Sequence, residues 1–491
     1  MEYKDSGILE KIRSLDRRDL AIFLIPVVVF SVYLAVFAPC IATYDSFNQI
    51  HQIASGHFAN WHPFFHTLIN MMCLRIYPSP TSICILQILT FSVMWMAICK
   101  YERNDESRNN FIFQVIFTAI ICIIPINAMY SITLWKDVLF SYFLMFLCFL
   151  AKVLIDRKGN VDIRFIILLS LVMAFAAELR GNGLYVVLIA LAVYAAYLII
   201  KGNWKMSAAL CILTVTFILL IASLNIAYDV QDNEKDALGT KLAHMLVDYE
   251  LNLDMDETDK AKIHEAIDKD RMREAYTPTG SDPIFAITDY KKLDENKDTY
   301  IGIVIKYSLR NPIHCLEYLF GSSPMVWSIV KDGSWNGRPY YMSSDHDRLQ
   351  SDFNQYYVPR NFTPTEPYEN ISYANWGSPV FDWFNNLALD IEGSIAETFL
   401  YSPALYMYLS IILLILIRIS VKSREIYLIY IPNLMNIAAI FLSTPIQDYR
   451  YLYANLLIFY MLAIACAGLK RSSEKIDLTK MRIERLKKLL E

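Results

Sequence analysis

The chain has 491 residues, 55% of them hydrophobic and 14% aromatic, and only 19% charged. Soluble domains average about 25% charge, so this balance belongs to lipid rather than to water. A formal net charge of −4 gives no electrostatic footing for nucleic acid, and no CxxC pair or zinc-type spacing is present.

Apolar runs set the fold class. Ten are read as spans, at about 20–38, 81–99, 111–128, 138–155, 164–178, 183–200, 206–227, 399–419, 426–443 and 452–468. Each is near the roughly 17–25 residues needed to cross a hydrocarbon layer of about 30 Å. The expected fold is an all-α polytopic membrane protein of about ten transmembrane helices. Lys11, Arg13, Arg17 and Arg18 precede the first run and hold the N-terminus in the cytoplasm. Pro39 follows that run and no A-x-A site closes it, so it is expected to be retained as a span.

Orientation follows from the loops. Lys100/Arg103/Arg108, Arg157/Lys158/Arg164, Lys201/Lys205, Arg418/Lys422/Arg424 and the basic tail at 470–491 all fall on one side, the cytoplasmic side by the positive-inside rule. The segment His62–Tyr77 is too short to span, and counting it would invert every later loop. It is therefore expected as a helix on, or dipping into, the outer face. The division is then a transmembrane module at 1–228 with a first outer loop at 39–80, an extracytoplasmic domain at 229–398, C-terminal spans at 399–469 and a cytoplasmic tail.

The domain at 229–398 is expected to be helical first and loop-rich later. Asp254, Asp256, Glu257 and Asp259 count like a calcium loop ending at Glu265, but Asp259 stands where that loop needs glycine. A solvated helix start before Ala261–Arg273 is the expectation instead. The aromatic stretch from Trp327 to Trp383, with Trp335, Tyr340, Tyr341, Tyr356, Tyr357 and Trp376, suits either sugar stacking or the lipid interface. Asn361-Phe-Thr and Asn370-Ile-Ser are short acceptor patterns compatible with an outer location. Cys40 and Cys315 are the two cysteines placed in outer loops, with no pairing readable.

Charges near the membrane gather on one side. Asp45 follows the first run, Lys136 and Asp137 precede the fourth, Glu178 and Arg180 lie at the next outer turn, and Asp448 and Arg450 precede the last. Charges at such depth are costly and usually serve a purpose. The first outer loop adds Gln49, Trp61, His62 and His66, with Pro63 suited to a first helical turn. His62 and His66 then lie one turn apart, a spacing that binds metal or merely hydrogen-bonds. The zinc-protease pattern needs glutamate where Pro63 stands, so no metal ligand is assigned.

An acidic residue in the first outer loop, Asp45, followed by Trp61-His62-Pro63, Lys136-Asp137, Arg180-Gly-Asn-Gly and Asp448-Tyr-Arg-Tyr resembles the GT-C class of glycosyltransferases. Among these are the protein O-mannosyltransferases and aminoarabinose transferases; the set looks closest to uncharacterised bacterial members. The first loop lacks the Asp-Glu pair of the mannosyltransferases, and the Trp-Trp-Asp motif of oligosaccharyl transferases is absent. The resemblance implies transfer of a sugar from a polyprenyl-phosphate-linked donor to an extracytoplasmic glycan, lipid or protein acceptor, with no resident cofactor assigned. It makes Asp45 the base, and Lys136, Arg180, Arg450, Gln49, Trp61, His62 and His66 substrate-binding groups. Asp137, Glu178 and Asp448 support them. Plain structural roles stay open beside these: Asp45 as the cap of a helix at Ser46–Ala54, Lys136 and Asp137 as an interface pair, and Glu178 and Arg180 as interior partners. The rival functions are a polysaccharide polymerase or ligase, a transporter of lipid-linked sugars and a non-catalytic scaffold.

Overall fold

The structure is a computed structural model, and it describes residues 15–103, 108–231, 234–330, 379–391, 394–443 and 448–469. The described chain is helical, and its only extended pairings are isolated bridges. Eight helices are long and apolar enough to cross a membrane: Arg17–Val36, Thr81–Glu102, Lys136–Asp156, Gly183–Ile200, Trp204–Ala227, Pro403–Val421, Arg424–Ser443 and Tyr449–Gly468. The protein is an all-α polytopic membrane protein.

Two of the ten expected spans take a different form. The run at 111–128 is a bent pair, Arg108–Ile123 and Pro125–Ser131, with 72° between them, which gives up to nine spans if counted as one. Pro125 has no N–H to give and suits a first turn, so one helix stops and another begins there. The run at 164–178 is a helix of 16 residues, Ile163–Glu178. At 1.5 Å per residue it is about 24 Å long, short of a full hydrocarbon layer. It packs between the helices Lys136–Asp156, Gly183–Ile200 and Trp204–Ala227.

The helix Lys136–Asp156 is the centre of the bundle, buried along nearly its whole length. Peripheral spans turn apolar side chains such as Val28, Val32, Val93, Ile116, Ile212 and Leu219 outward, where a bilayer would meet them. Ionisable groups sit at the two ends. At one end Asp19 meets Lys100 at 2.6 Å and Arg103 at 2.8 Å, and Lys152 meets Glu102 at 2.9 Å and Asp156 at 2.6 Å. The opposite end carries Lys136.

Two short helices close over the Lys136 end, Tyr44–Ser55 and Phe64–Ile76. The second has 13 residues, about 20 Å, and packs on Thr81–Glu102, Ile163–Glu178 and Trp204–Ala227. Backbone pairing anchors the first loop: Ile41 N–H donates to Ile132 O and Leu134 N–H to Ile41 O, at 2.9 and 3.1 Å. Asn60 N–H donates to Gln231 O at 2.8 Å, fastening the loop's far side.

Residues 234–330 form a helical unit with its own core of Leu246, Tyr249, Ile263, Ile284, Leu293, Tyr300 and Tyr307, among others. The helix starting in the acidic run is Glu257–Ala266, and it ends earlier than Arg273 because Ile267 turns extended to pair with Thr288. Asp256 and Asp259 are engaged by Lys306 at 2.6 and 2.5 Å. Trp335, Tyr340, Tyr341, Tyr356, Tyr357, Trp376, both acceptor patterns and the tail at 470–491 lie outside the described residues. Pro379–Ile391, at the end of the expected loop-rich stretch, is a helix whose Phe384 ring packs 4.8 Å from that of Tyr33. All nine cysteines are free.

Candidate functional site

The helix Tyr44–Ser55 begins with a capping box made by Thr43 and Ser46. That corrects the alternative role for Asp45: it lies inside the first turn and does not cap. Its carboxylate is left free to point elsewhere. Two bonds fix the helix over the Lys136 end, Ser46 Oγ to Leu134 O at 3.1 Å and Trp135 Nε1 to Thr43 Oγ1 at 2.8 Å.

Asp45 Oδ2 accepts from Arg450 Nη1 at 2.5 Å. Arg450 leaves a short 3-10 turn, Tyr449–Leu452, whose N-cap is Asp448. Asp448 therefore has two tasks. One oxygen accepts the Arg450 backbone N–H at 3.1 Å, and the other lies 2.8 Å from Arg450 Nε. Asp137 Oδ2 stands 4.0 Å from the same Nε, while its other oxygen is 3.2 Å from Arg180 Nε. The two guanidiniums thus share Asp137. Arg180 also donates to Tyr451 O at 3.0 Å and stacks 4.6 Å above the Tyr451 ring; Arg450 stacks 4.9 Å from Trp135. Buried charge persists only when paired and hydrogen-bonded, and Asp45, Asp137 and Asp448 here balance Lys136, Arg180 and Arg450.

His62 links Lys136 to Asp45. The Lys136 ammonium donates to His62 Nδ1 at 2.9 Å. An ammonium can only donate, so Nδ1 accepts and the ring proton sits on Nε2. That Nε2 lies 3.9 Å from Asp45 Oδ1. Burial and then Lys136 push the His62 ring down to about 3, against a smaller opposing pull from Asp45. Burial acts to raise the Asp45 carboxyl, but Arg450, His62 and Lys136 outweigh it and hold it at about 2. The Asp45 side chain keeps 32% of its surface exposed, which leaves it open to an incoming group.

His66 serves a second, buried network. Its Nδ1 is 3.0 Å from Gln49 Oε1, Gln49 Nε2 donates to Thr67 Oγ1 at 3.0 Å, and Asn70 Nδ2 is 3.4 Å from the same Nδ1. His62 and His66 do not share a helix as expected. Pro63 takes the N-cap position and the helix starts at Phe64, so His62 precedes it and turns to Lys136. Among the described residues, no group of three His, Cys, Asp or Glu side chains is arranged to hold a metal ion.

Trp61 does not join the charges. It is exposed, and its ring meets Phe285 of the 234–330 unit at 6.0 Å. Glu178 closes the helix ahead of Arg180 and is half-buried. The turn after it is fixed by Gly183 N–H to Arg180 O at 2.8 Å and Asn182 Nδ2 to Asn436 Oδ1 at 3.1 Å.

Sequence reasoning missed Trp135, Tyr451, Thr67, Asn70 and Asn436. Trp135 and Tyr451 flank Lys136 and Arg450 directly, and aromatic neighbours of a cation were the available signal. Nothing in the sequence marked Thr67, Asn70 or Asn436.

No protein-family model matches the chain, and no curated protein or solved structure matches it either.

Proposed function

We propose that the protein is a membrane glycosyltransferase of GT-C type, moving a sugar from a polyprenyl-phosphate-linked donor to an acceptor hydroxyl on the extracytoplasmic face. The observation that carries this reading is the contact of the partly exposed Asp45 carboxylate with Arg450, beside Lys136 and Arg180. Glycosyl transfer needs such a pair of opposites. A carboxylate takes the acceptor proton as the acceptor oxygen bonds to the anomeric carbon. Preplaced cations receive the phosphate as its bond to that carbon breaks.

Held by Arg450, Asp45 is a poor base. A donor phosphate competes for the guanidinium, which grips phosphate through parallel hydrogen bonds. As Arg450 turns toward phosphate, Asp45 loses its strongest counter-charge and its proton affinity rises. Lys136 adds a second charge to the phosphate, and His62 keeps it in line with Asp45.

The test is transfer of labelled sugar from polyprenyl-phosphate donors by purified, folded protein, wild type against Asp45→Asn. General-base loss predicts a fall of about 10²–10⁴-fold in the variant. Equal transfer by both would remove Asp45 from the role, and no transfer from any donor would sink the donor class.

A further inference from the structure

The helices Lys297–Arg310 and Pro312–Gly321 carry apolar side chains that the core of their own unit does not use. That core takes Tyr300, Ile303 and Tyr307 from the first helix. Ile301, Ile305 and Leu309 recur every four residues on another face of it. Ile313, Leu316 and Phe320 do the same on the second helix at spacings of three and four. All are exposed, with Leu309 at 77% and Ile313 at 72%. Lys306 and Arg310 are drawn away by Asp256, at 2.6 and 3.4 Å. A stripe of this size facing water is unfavourable and marks an interaction surface.

Its continuation identifies the partner. The Phe320 ring packs 5.2 Å from that of Phe441, on the span Arg424–Ser443. Pro324–Trp327 packs on that span and on Pro403–Val421, and Tyr408 OH donates to Trp327 O at 2.9 Å. The same two spans turn Ile411, Ile412, Ile415, Leu434 and Leu442 outward. The stripe therefore runs into the lipid-facing belt of the bundle. Trp327 and Tyr408, both exposed, are the residue types that mark headgroup depth.

We infer that Lys297–Arg310 and Pro312–Gly321 lie with this face in the interfacial layer of the bilayer that holds the spans. Lipid is the occupant, as for other amphipathic helices lying in a membrane surface. The 234–330 unit then rests on the membrane through a contact of its own, and this holds whichever reaction the protein performs.

The experiment uses the full chain in phosphatidylcholine–phosphatidylglycerol nanodiscs, in a Cys315→Ser background with residual labelling subtracted. A nitroxide is attached at Leu309→Cys, Ile313→Cys or Leu316→Cys, with Asp270→Cys as the water-exposed reference. Collision with oxygen and with a water-soluble nickel chelate is measured for variants that elute as wild type. The stripe positions are expected to collide several-fold more with oxygen, and several-fold less with nickel, than position 270. Nickel collision equal to that at 270 overturns the inference. Shielding from both reagents also overturns it, because polypeptide, such as a second copy of the chain, would then cover the face.

Discussion

Asp45 Oδ2 and Arg450 Nη1 lie 2.5 Å apart although 405 residues separate them in the chain. The contact joins the loop after the first span to the turn before the last. Arg450 is also held by Asp448 and lies near Asp137, so one guanidinium ties together the ends of three helical segments.

Removing that guanidinium leaves buried carboxylates uncompensated. Arg450→Ala is expected to destabilise the protein by roughly 3–5 kcal/mol, the usual result of breaking a buried pair from one side. Arg450→Lys keeps the charge but loses the planar fork that serves Asp45 and Asp448 together, so only part of the loss should return. Thermal unfolding in detergent, followed by intrinsic fluorescence, reads both variants. A midpoint for Arg450→Ala equal to wild type would mean that the pair contributes nothing to folding.

Acid should loosen the site through His62. Its proton affinity is pushed from an ordinary 6.5 to about 3, by burial first and Lys136 second. Between those values the unfolded chain binds a proton that the folded ring refuses, so stability falls as pH falls. The slope is at most about 1.4 kcal/mol per pH unit for one group. Asp45, depressed from 3.8 to about 2, adds its own loss only as pH drops through that lower range. Unfolding midpoints are expected to fall between pH 7 and pH 5, and less steeply in His62→Gln. Identical slopes would assign the effect to another histidine, such as His244 of the 234–330 unit, lowered to about 4 by its burial.

The bundle was legible because each span must bury or expose its own apolar run, which is local information. Length settled most of them; Pro125 and the short run at Ile163–Glu178 are where local reading and geometry part. Lys136, Arg180 and Arg450 were visible as costly charges at one end of the bundle, but their pairing was not. Which carboxylate meets which guanidinium depends on how helices hundreds of residues apart pack. Thr43 shows the same limit on a small scale. Asp45 was as good a cap by composition, and only the geometry of the turn assigned the box to Thr43 and Ser46.

The turn that presents Arg180 depends on a close backbone approach. A Cβ on Gly183 would stand 2.2 Å from Ala176 O and 3.0 Å from Ala177 O, and backbone oxygens cannot move aside cheaply. Gly183→Ala is therefore expected to cost about 1–3 kcal/mol, as overpacking does, and to displace Arg180 from Asp137. Two residues earlier, a Cβ on Gly181 meets nothing within 4 Å, so Gly181→Ala should stay within about 0.5 kcal/mol of wild type. Unfolding midpoints of the two variants, measured side by side, check the contrast. Equal midpoints would show that the helix ends shift to accommodate a methyl group.

Lys136 differs from its two cationic neighbours in how its charge is spent. Arg180 and Arg450 are each within bonding distance of a carboxylate, whereas no carboxylate oxygen lies within 4.0 Å of the Lys136 ammonium among the described residues. Its bonded partner is the neutral His62 ring. Under the proposed reaction it is the cation most ready to take a donor phosphate without first surrendering an ion pair. Lys136→Gln keeps a donor for His62 and removes the charge. The donor KM should then rise by about tenfold, equivalent to about 1.4 kcal/mol of phosphate binding, with the acceptor KM little changed. A titration of polyprenyl-phosphate sugar against initial rate measures this. An unchanged donor KM would leave Lys136 with a structural task, holding His62 against Asp45, and would move phosphate binding to the two arginines.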